Sequence, residues 1–186
     1  MTNDEKRVFF IVFGIVGAII ALIVVAALVG EKYEYDNYNK EYSKMYEEIS
    51  YTVPKELKDS EYSNIKDHRY SYFEDDCYVS FNVEADDKEY YDNTEEYLKK
   101  SIYTSIDNKV SEVEEIEMNG EKFYSVNIKE KKSGTIEYYY ALESTNYYYL
   151  LRYRLVDDSN GDVAGIEDSI CYTAKDQILK TIHTKH

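Results

Sequence analysis

Residues Val8 to Val29 read VFFIVFGIVGAIIALIVVAALV, an apolar run without a single charge. At about 1.5 Å rise per residue, this run matches the roughly 30 Å hydrocarbon core of a bilayer. A backbone in lipid must satisfy its own hydrogen bonds, so the run predicts one transmembrane helix. Everything after Gly30 is polar, acidic and rich in tyrosine, and nothing there predicts a second span.

A cleaved signal peptide has a shorter apolar core, roughly 7 to 15 residues, followed by a small-x-small site. Here the best cleavage candidate ends at Gly30 and puts the bulky Leu28 in the third position before the cut. No cysteine follows the run to take a lipid anchor. The expectation is an uncleaved anchor. Lys6 and Arg7 abut the run and favour a cytoplasmic N-terminus, although Lys32, Lys40 and Lys44 lie on the other side among carboxylates. That orientation puts a tail of residues 1–7 in the cytoplasm, the span at 8–29, a helical stalk at 30–49 and an extracellular domain at 50–186. Within the span, Gly14 with Ala18 and Gly17 with Ala21 form small-xxx-small pairs. Such pairs allow close helix approach, or are simply the small residues common in membrane helices.

The net charge of −15 belongs to the part after Gly30, because the first 30 residues hold two of the 22 Lys and Arg and two of the 37 Asp and Glu. A domain this acidic repels phosphate backbones and anionic lipid, which excludes nucleic acid as the expected partner. Its length suits a single core without help from disulfides or metal. The chain has 23 Tyr, six Phe and no Trp. A tyrosine buries its ring and leaves its hydroxyl wet, so a sheet built from it can be half-exposed on both faces.

In the stalk, Tyr35, Tyr38, Tyr42, Met45 and Ile49 recur at spacings of three and four, on one face of a helix. That stripe either packs on its own domain or pairs two chains, giving a weak homodimer through anchor and stalk. Pro54, the only proline, stops any helix running on from the stalk and sets the domain boundary near Ser50.

Beyond it, period-two alternation marks strands at Tyr70–Tyr72, Cys77–Val83, Val113–Met118, Phe123–Ile128, Thr135–Leu142 and Tyr147–Val156. Asn119-Gly120 is a type I′ hairpin signal, since both residues accept positive φ. An antiparallel meander is the expectation. Two helices interrupt it. Asn93 caps one, with Glu96 reaching back and Leu98, Ile102 and Ile106 as its stripe; Ile166, Ile170, Ala174 and Ile178 form the stripe of the other. The fold class is α+β, an antiparallel sheet flanked by helices.

This element order resembles the PsbP/Mog1-like α/β/α sandwich, a domain recurring as an anchored module on bacterial surfaces. The resemblance runs from Tyr51-Thr-Val-Pro54 through Asn93-Thr-Glu-Glu-Tyr-Leu98 and Ile116-Glu-Met-Asn-Gly120 with Phe123-Tyr124 to Ile178-Leu-Lys-Thr-Ile182. Lys55-Glu56-Leu57 stands where the family places an aromatic. The family spans many roles, so the likeness carries over no catalytic or binding residue.

Cys77 and Cys171 are the only cysteines, each placed to point into the same layer. On an oxidising side they would close a loop of about 94 residues, worth roughly 4 to 5 kcal/mol; otherwise they are two buried thiols. His68, His183 and His186 are too scattered for zinc. Asp158, Asn160 and Asp162 copy the first calcium-loop spacings, but Val163 replaces the required glycine and Ser169 the closing glutamate. No nucleophile, metalloprotease or phosphate-loop motif occurs. The expectation is a non-enzymatic envelope accessory without cofactor, held by the bilayer and binding an envelope protein. The alternative is a sensor or carrier that takes peptide or carbohydrate on Tyr138, Tyr140, Tyr147 and Tyr149.

Overall fold

The structure, a computed structural model, describes residues 20, 23–30, 32, 40–74, 77–102, 108–130, 135–157 and 169–186. Two compact units divide the chain, Met1–Lys44 and Met45–His186.

In the first unit the described residues are helical. Ile20, Ile23, Val24, Val25, Leu28 and Val29 are all exposed, between 51% and 62% of their surface. Successive helical residues turn by about 100°, so these side chains clothe the helix on every side. Among the described residues no helix is long and apolar enough to cross a membrane. Most of the predicted span at 8–29, including Gly14, Gly17, Ala18 and Ala21, lies outside the described residues, as do Tyr35 and Tyr38 of the stalk.

The second unit begins at Met45 rather than at Ser50. The end of the predicted stalk is not helical: Tyr46–Glu48 makes one 3-10 turn and Ile49–Ser50 is strand β1. Burial decides this, because Tyr46 and Ile49 are 9% and 7% exposed and cover the domain core. Strand β1 pairs antiparallel with β9, His183–Thr184, at the other end of the unit.

Seven further strands make the main sheet: β2 Arg69–Glu74, β3 Cys77–Asp87, β4 Asn108–Val110, β5 Glu114–Met118, β6 Glu121–Glu130, β7 Ile136–Glu143 and β8 Tyr147–Asp157. Their order is β2-β3-β8-β7-β6-β4, with β5 also on β6, and every pairing is antiparallel. The strands from β5 to β8 form the expected meander, whereas β3 inserts its hairpin beside β8. The β5–β6 turn has Asn119 at φ 57° and Gly120 at φ 79°, the two positive values a type I′ turn requires.

Three helices cover the sheet: α1 Lys55–Lys58, α2 Thr94–Ser101 and α3 Ile170–Leu179. Asn93 Oδ1 accepts from Glu96 N at 2.9 Å, and Glu96 Oε2 accepts from Asp92 N at 2.6 Å, a reciprocal cap that starts α2. Helix α2 stops at Ser101, and Ile102 is extended, so the predicted stripe does not continue as helix. Ile106 of that stripe lies outside the described residues.

Strand alternation separates two faces. Val79, Phe81, Val83, Tyr149, Leu151, Tyr153 and Leu155 point one way and are at most 7% exposed, beneath α3 and the segment bearing Leu57. On the other face α2 sets Tyr97 and Leu98 against Val126, Ile128, Tyr139, Ala141, Tyr148 and Leu150. The helices therefore lie on opposite sides of the sheet.

Candidate functional site on the sheet

Helix α2 covers only part of its face. Over β2, β3 and the distal half of β8, the same face carries Arg69, Ser71, Tyr78, Ser80, Asn82, Arg152 and Arg154, none of them buried. Apart from Arg7, which precedes the apolar run, these three are all the arginines the chain has. The pairing register brings them together. Arg69 lies opposite Asn82, and Asn82 lies opposite Arg152, so one row crosses three strands; Ser71, Ser80 and Arg154 form the next row.

Beside this row sits Glu137, 8% exposed, opposite Arg154 on β7. Its carboxylate accepts from Tyr139 Oη at 2.6 Å and from Arg152 Nη2 at 2.6 Å, and Arg154 Nε stands 3.5 Å away. Burial raises the Glu137 pKa, but the hydrogen bonds from Tyr139 and Arg152 outweigh it and hold the group below its ordinary value. The guanidinium of Arg152 also lies over the Tyr139 ring, 5.6 Å from its centre. One carboxylate thus anchors two arginines. Their Nε atoms are both buried and neither has a hydrogen-bond partner. A cavity of about 300 Å³ opens over this surface, lined by Arg69, Ser71, Tyr78, Ser80, Asn82, Glu84 and Arg152 among others. Asn82 Nδ2 donates to Glu84 Oε1 at 2.9 Å, which leaves Arg69 of this row and Ser80 of the next as the open polar groups.

The tyrosines expected to form a ligand surface are elsewhere. Tyr138, Tyr140, Tyr147 and Tyr149 face α3, where Tyr140 is 7% and Tyr149 0% exposed. Tyr149 Oη donates to the Met45 carbonyl at 2.6 Å, and burial pushes its hydroxyl pKa up to about 12. Lys175 Nζ caps the Tyr138 ring at 4.2 Å. Tyr140 and Tyr149 are therefore core, while Tyr138 and Tyr147 are half-buried. All four share one face of the sheet, since alternate residues of a strand point the same way.

Cys77 at the start of β3 and Cys171 in the first turn of α3 are joined as a disulfide, Cα atoms 6.5 Å apart. Tyr153 Oη donates to the Cys171 carbonyl at 2.7 Å, tying the same helical turn to β8. Asp158, Asn160, Asp162 and Val163 of the calcium-like spacing lie outside the described residues, while Ser169 caps α3 through Cys171 N. Among the described residues, no three of His, Cys, Asp and Glu are grouped to hold a metal ion.

The three histidines have separate structural settings. Tyr46 stacks on His68 with ring centres 3.8 Å apart and planes 9° apart, and Tyr51 Oη lies 2.6 Å from His68 Nδ1. Burial lowers the His68 pKa, against a smaller upward pull from Asp67. His186 Nε2 lies 3.3 Å from Glu121, which also accepts from Thr184 N and Oγ1, and His183 stands 4.0 Å from it.

Sequence reasoning missed the arginine row because it depends on which strands are neighbours. The available signal was Arg152-Tyr153-Arg154, two arginines on one face of a strand in a chain that otherwise prefers lysine.

No family model matches the chain, and no curated protein matches it. A crystal structure from Bacteroides thetaiotaomicron VPI-5482 aligns with 74% of this chain and 45% of its own at 8% identity, with a TM-score of 0.42. This chain thus spans less than half the length of that protein.

Proposed function

We propose that this chain is a single-pass, non-enzymatic envelope protein that holds an α+β domain outside the membrane and binds a partner through the uncovered half of its sheet. The observation that carries the binding role is the arginine row. In a unit this acidic, three guanidiniums gathered on one open face, two of them oriented by a nearly buried carboxylate, form a surface that folding alone does not require.

The tether rests on the uncharged run from Val8 to Val29 and on the apolar side chains exposed all round residues 23–29. The Cys77–Cys171 bridge supports an oxidising compartment for the domain. Helices on both faces of an antiparallel sheet suit a PsbP/Mog1-like sandwich as the finer fold. The cavity of about 300 Å³ favours the sensor or carrier variant of this reading, at the arginine face in place of the tyrosine strands.

The test uses native cells. The chain should stay in membranes after alkaline carbonate washing, and protease added outside should remove the domain. A photocrosslinking residue at Ser80 should give one discrete adduct that the same group at Glu117, on the distant β5, does not give. Recovery of a freely soluble chain starting beyond residue 30 refutes the tether. Equal labelling from both positions refutes the binding face.

A further inference from the structure

We infer that the arginine row is a binding site for a small organic oxyanion, a carboxylate or phosphate carried on an apolar group. The inference rests on reading this face as the binding face and adds the chemistry it recognises.

The geometry begins with the row itself. Arg69 and Arg152 flank Asn82, each one strand away, so their Cα atoms are about 10 Å apart at the usual spacing of strands. Arg69 is free to reach toward Asn82, while the Arg152 guanidinium leans to Glu137 and Tyr139 on β7 and bounds the same cavity from its β8 side. Arg69 is exposed and has no ion-pair or hydrogen-bond partner for its side chain among the described residues. Arg152 is held from behind by Glu137 through Nη2, while its Nε remains buried without an acceptor. The part of Arg152 open to a ligand is the exposed remainder of its guanidinium, its side chain being 39% exposed beside the cavity. Ser80, in the neighbouring row, adds a hydroxyl to the same wall.

Charge supports the sign of the ligand. The face holds Arg69, Arg152 and Arg154 against Glu84 and Glu137, a local excess of cation in a chain of net charge −15. Planar guanidinium forks match carboxylate and phosphate oxygens, whereas lysine would supply only a point charge. At the other end of the face Phe73 is 59% exposed opposite Tyr78, which separates it from the half-buried Val156. A small ligand with its anionic head at Arg69 rests its apolar body on the half-buried Tyr78 of the same cavity wall.

The experiment titrates the full chain in nonionic detergent with phenyl phosphate, with phenylacetate and with neutral benzyl alcohol, read by calorimetry. Saturable one-to-one binding of phenyl phosphate or phenylacetate, and none of benzyl alcohol, is expected; the tighter of the two names the head group. Arg69→Gln should weaken that binding by roughly tenfold, the worth of one charge-assisted hydrogen bond. Arg69 is exposed, so this variant should fold as the parent does. Arg152→Gln should weaken it at least as much. Absence of saturable binding by both anions, binding that Arg69→Gln leaves unchanged, or equal binding of the alcohol overturns the inference. A Ser80 adduct that persists in cells alongside any of these results keeps the binding face and removes only the oxyanion.

Discussion

Arg152 and Glu137 meet across β8 and β7 at 2.6 Å, on a carboxylate that is 8% exposed. Removing either partner leaves the other poorly solvated. Arg152→Ala should lower stability by about 2 kcal/mol, the cost of stranding a buried charged acceptor, even though Tyr139 and Arg154 remain beside it. Urea unfolding of the purified chain measures it. A change within experimental error would mean that water replaces the guanidinium without cost.

His68 makes stability depend on pH in one direction. Its pKa is lowered by burial in the folded chain from the ordinary 6.5, so the unfolded chain takes up the proton first as pH falls. Its contribution is complete above about 6.5 and is lost as pH drops from there through the folded value. The glutamates with lowered pKa values, Glu48, Glu121 and Glu137, act in a separate window below the ordinary 4.5. His68→Asn, which tolerates the positive φ of 53° at this position, should abolish the upper step and spare the lower one. Melting temperature against pH reads both steps.

Reduction of the Cys77–Cys171 bridge should destabilise the domain by up to about 4 to 5 kcal/mol, as expected for a loop of 94 residues. The loss should match that of the Cys77→Ala, Cys171→Ala double variant. If the double variant unfolds at the same urea concentration as the parent, packing of α3 alone fixes the helix.

Gly120→Ala should cost about 1 kcal/mol. No atom would meet the new Cβ within 4 Å, so the whole cost comes from holding alanine at φ 79°. Gly120→Asn should recover most of it, since asparagine visits that region more readily.

The strands were legible because their alternation is physical: residues with buried side chains recur every second position from Cys77 to Val83, and Val126 and Ile128 repeat the spacing in β6. The Asn119-Gly120 turn and the Asn93 cap were equally local, and each is present as expected. Neighbourhood was not local. Nothing in Cys77–Val83 indicates that β8, far along the chain, lies beside it, and the arginine row exists only through that pairing. The burial of Tyr140 and Tyr149 was illegible for a related reason, because composition shows that a ring is present but not which layer covers it. Ile49 matched a helical stripe and instead helps close the core, where burial outweighs a periodicity of only a few residues.

The pairing of β1 with β9 has a mechanical meaning. Glu48, just before β1, accepts hydrogen bonds from Ser144 and Asn146 in the β7–β8 turn, and its carbonyl accepts from Lys185 N just after β9. A pull applied at Met45 is therefore shared between the far terminus and the middle of the sheet, sparing the outermost strand. Such wiring lets the unit bear tension at its point of entry without peeling open from one side.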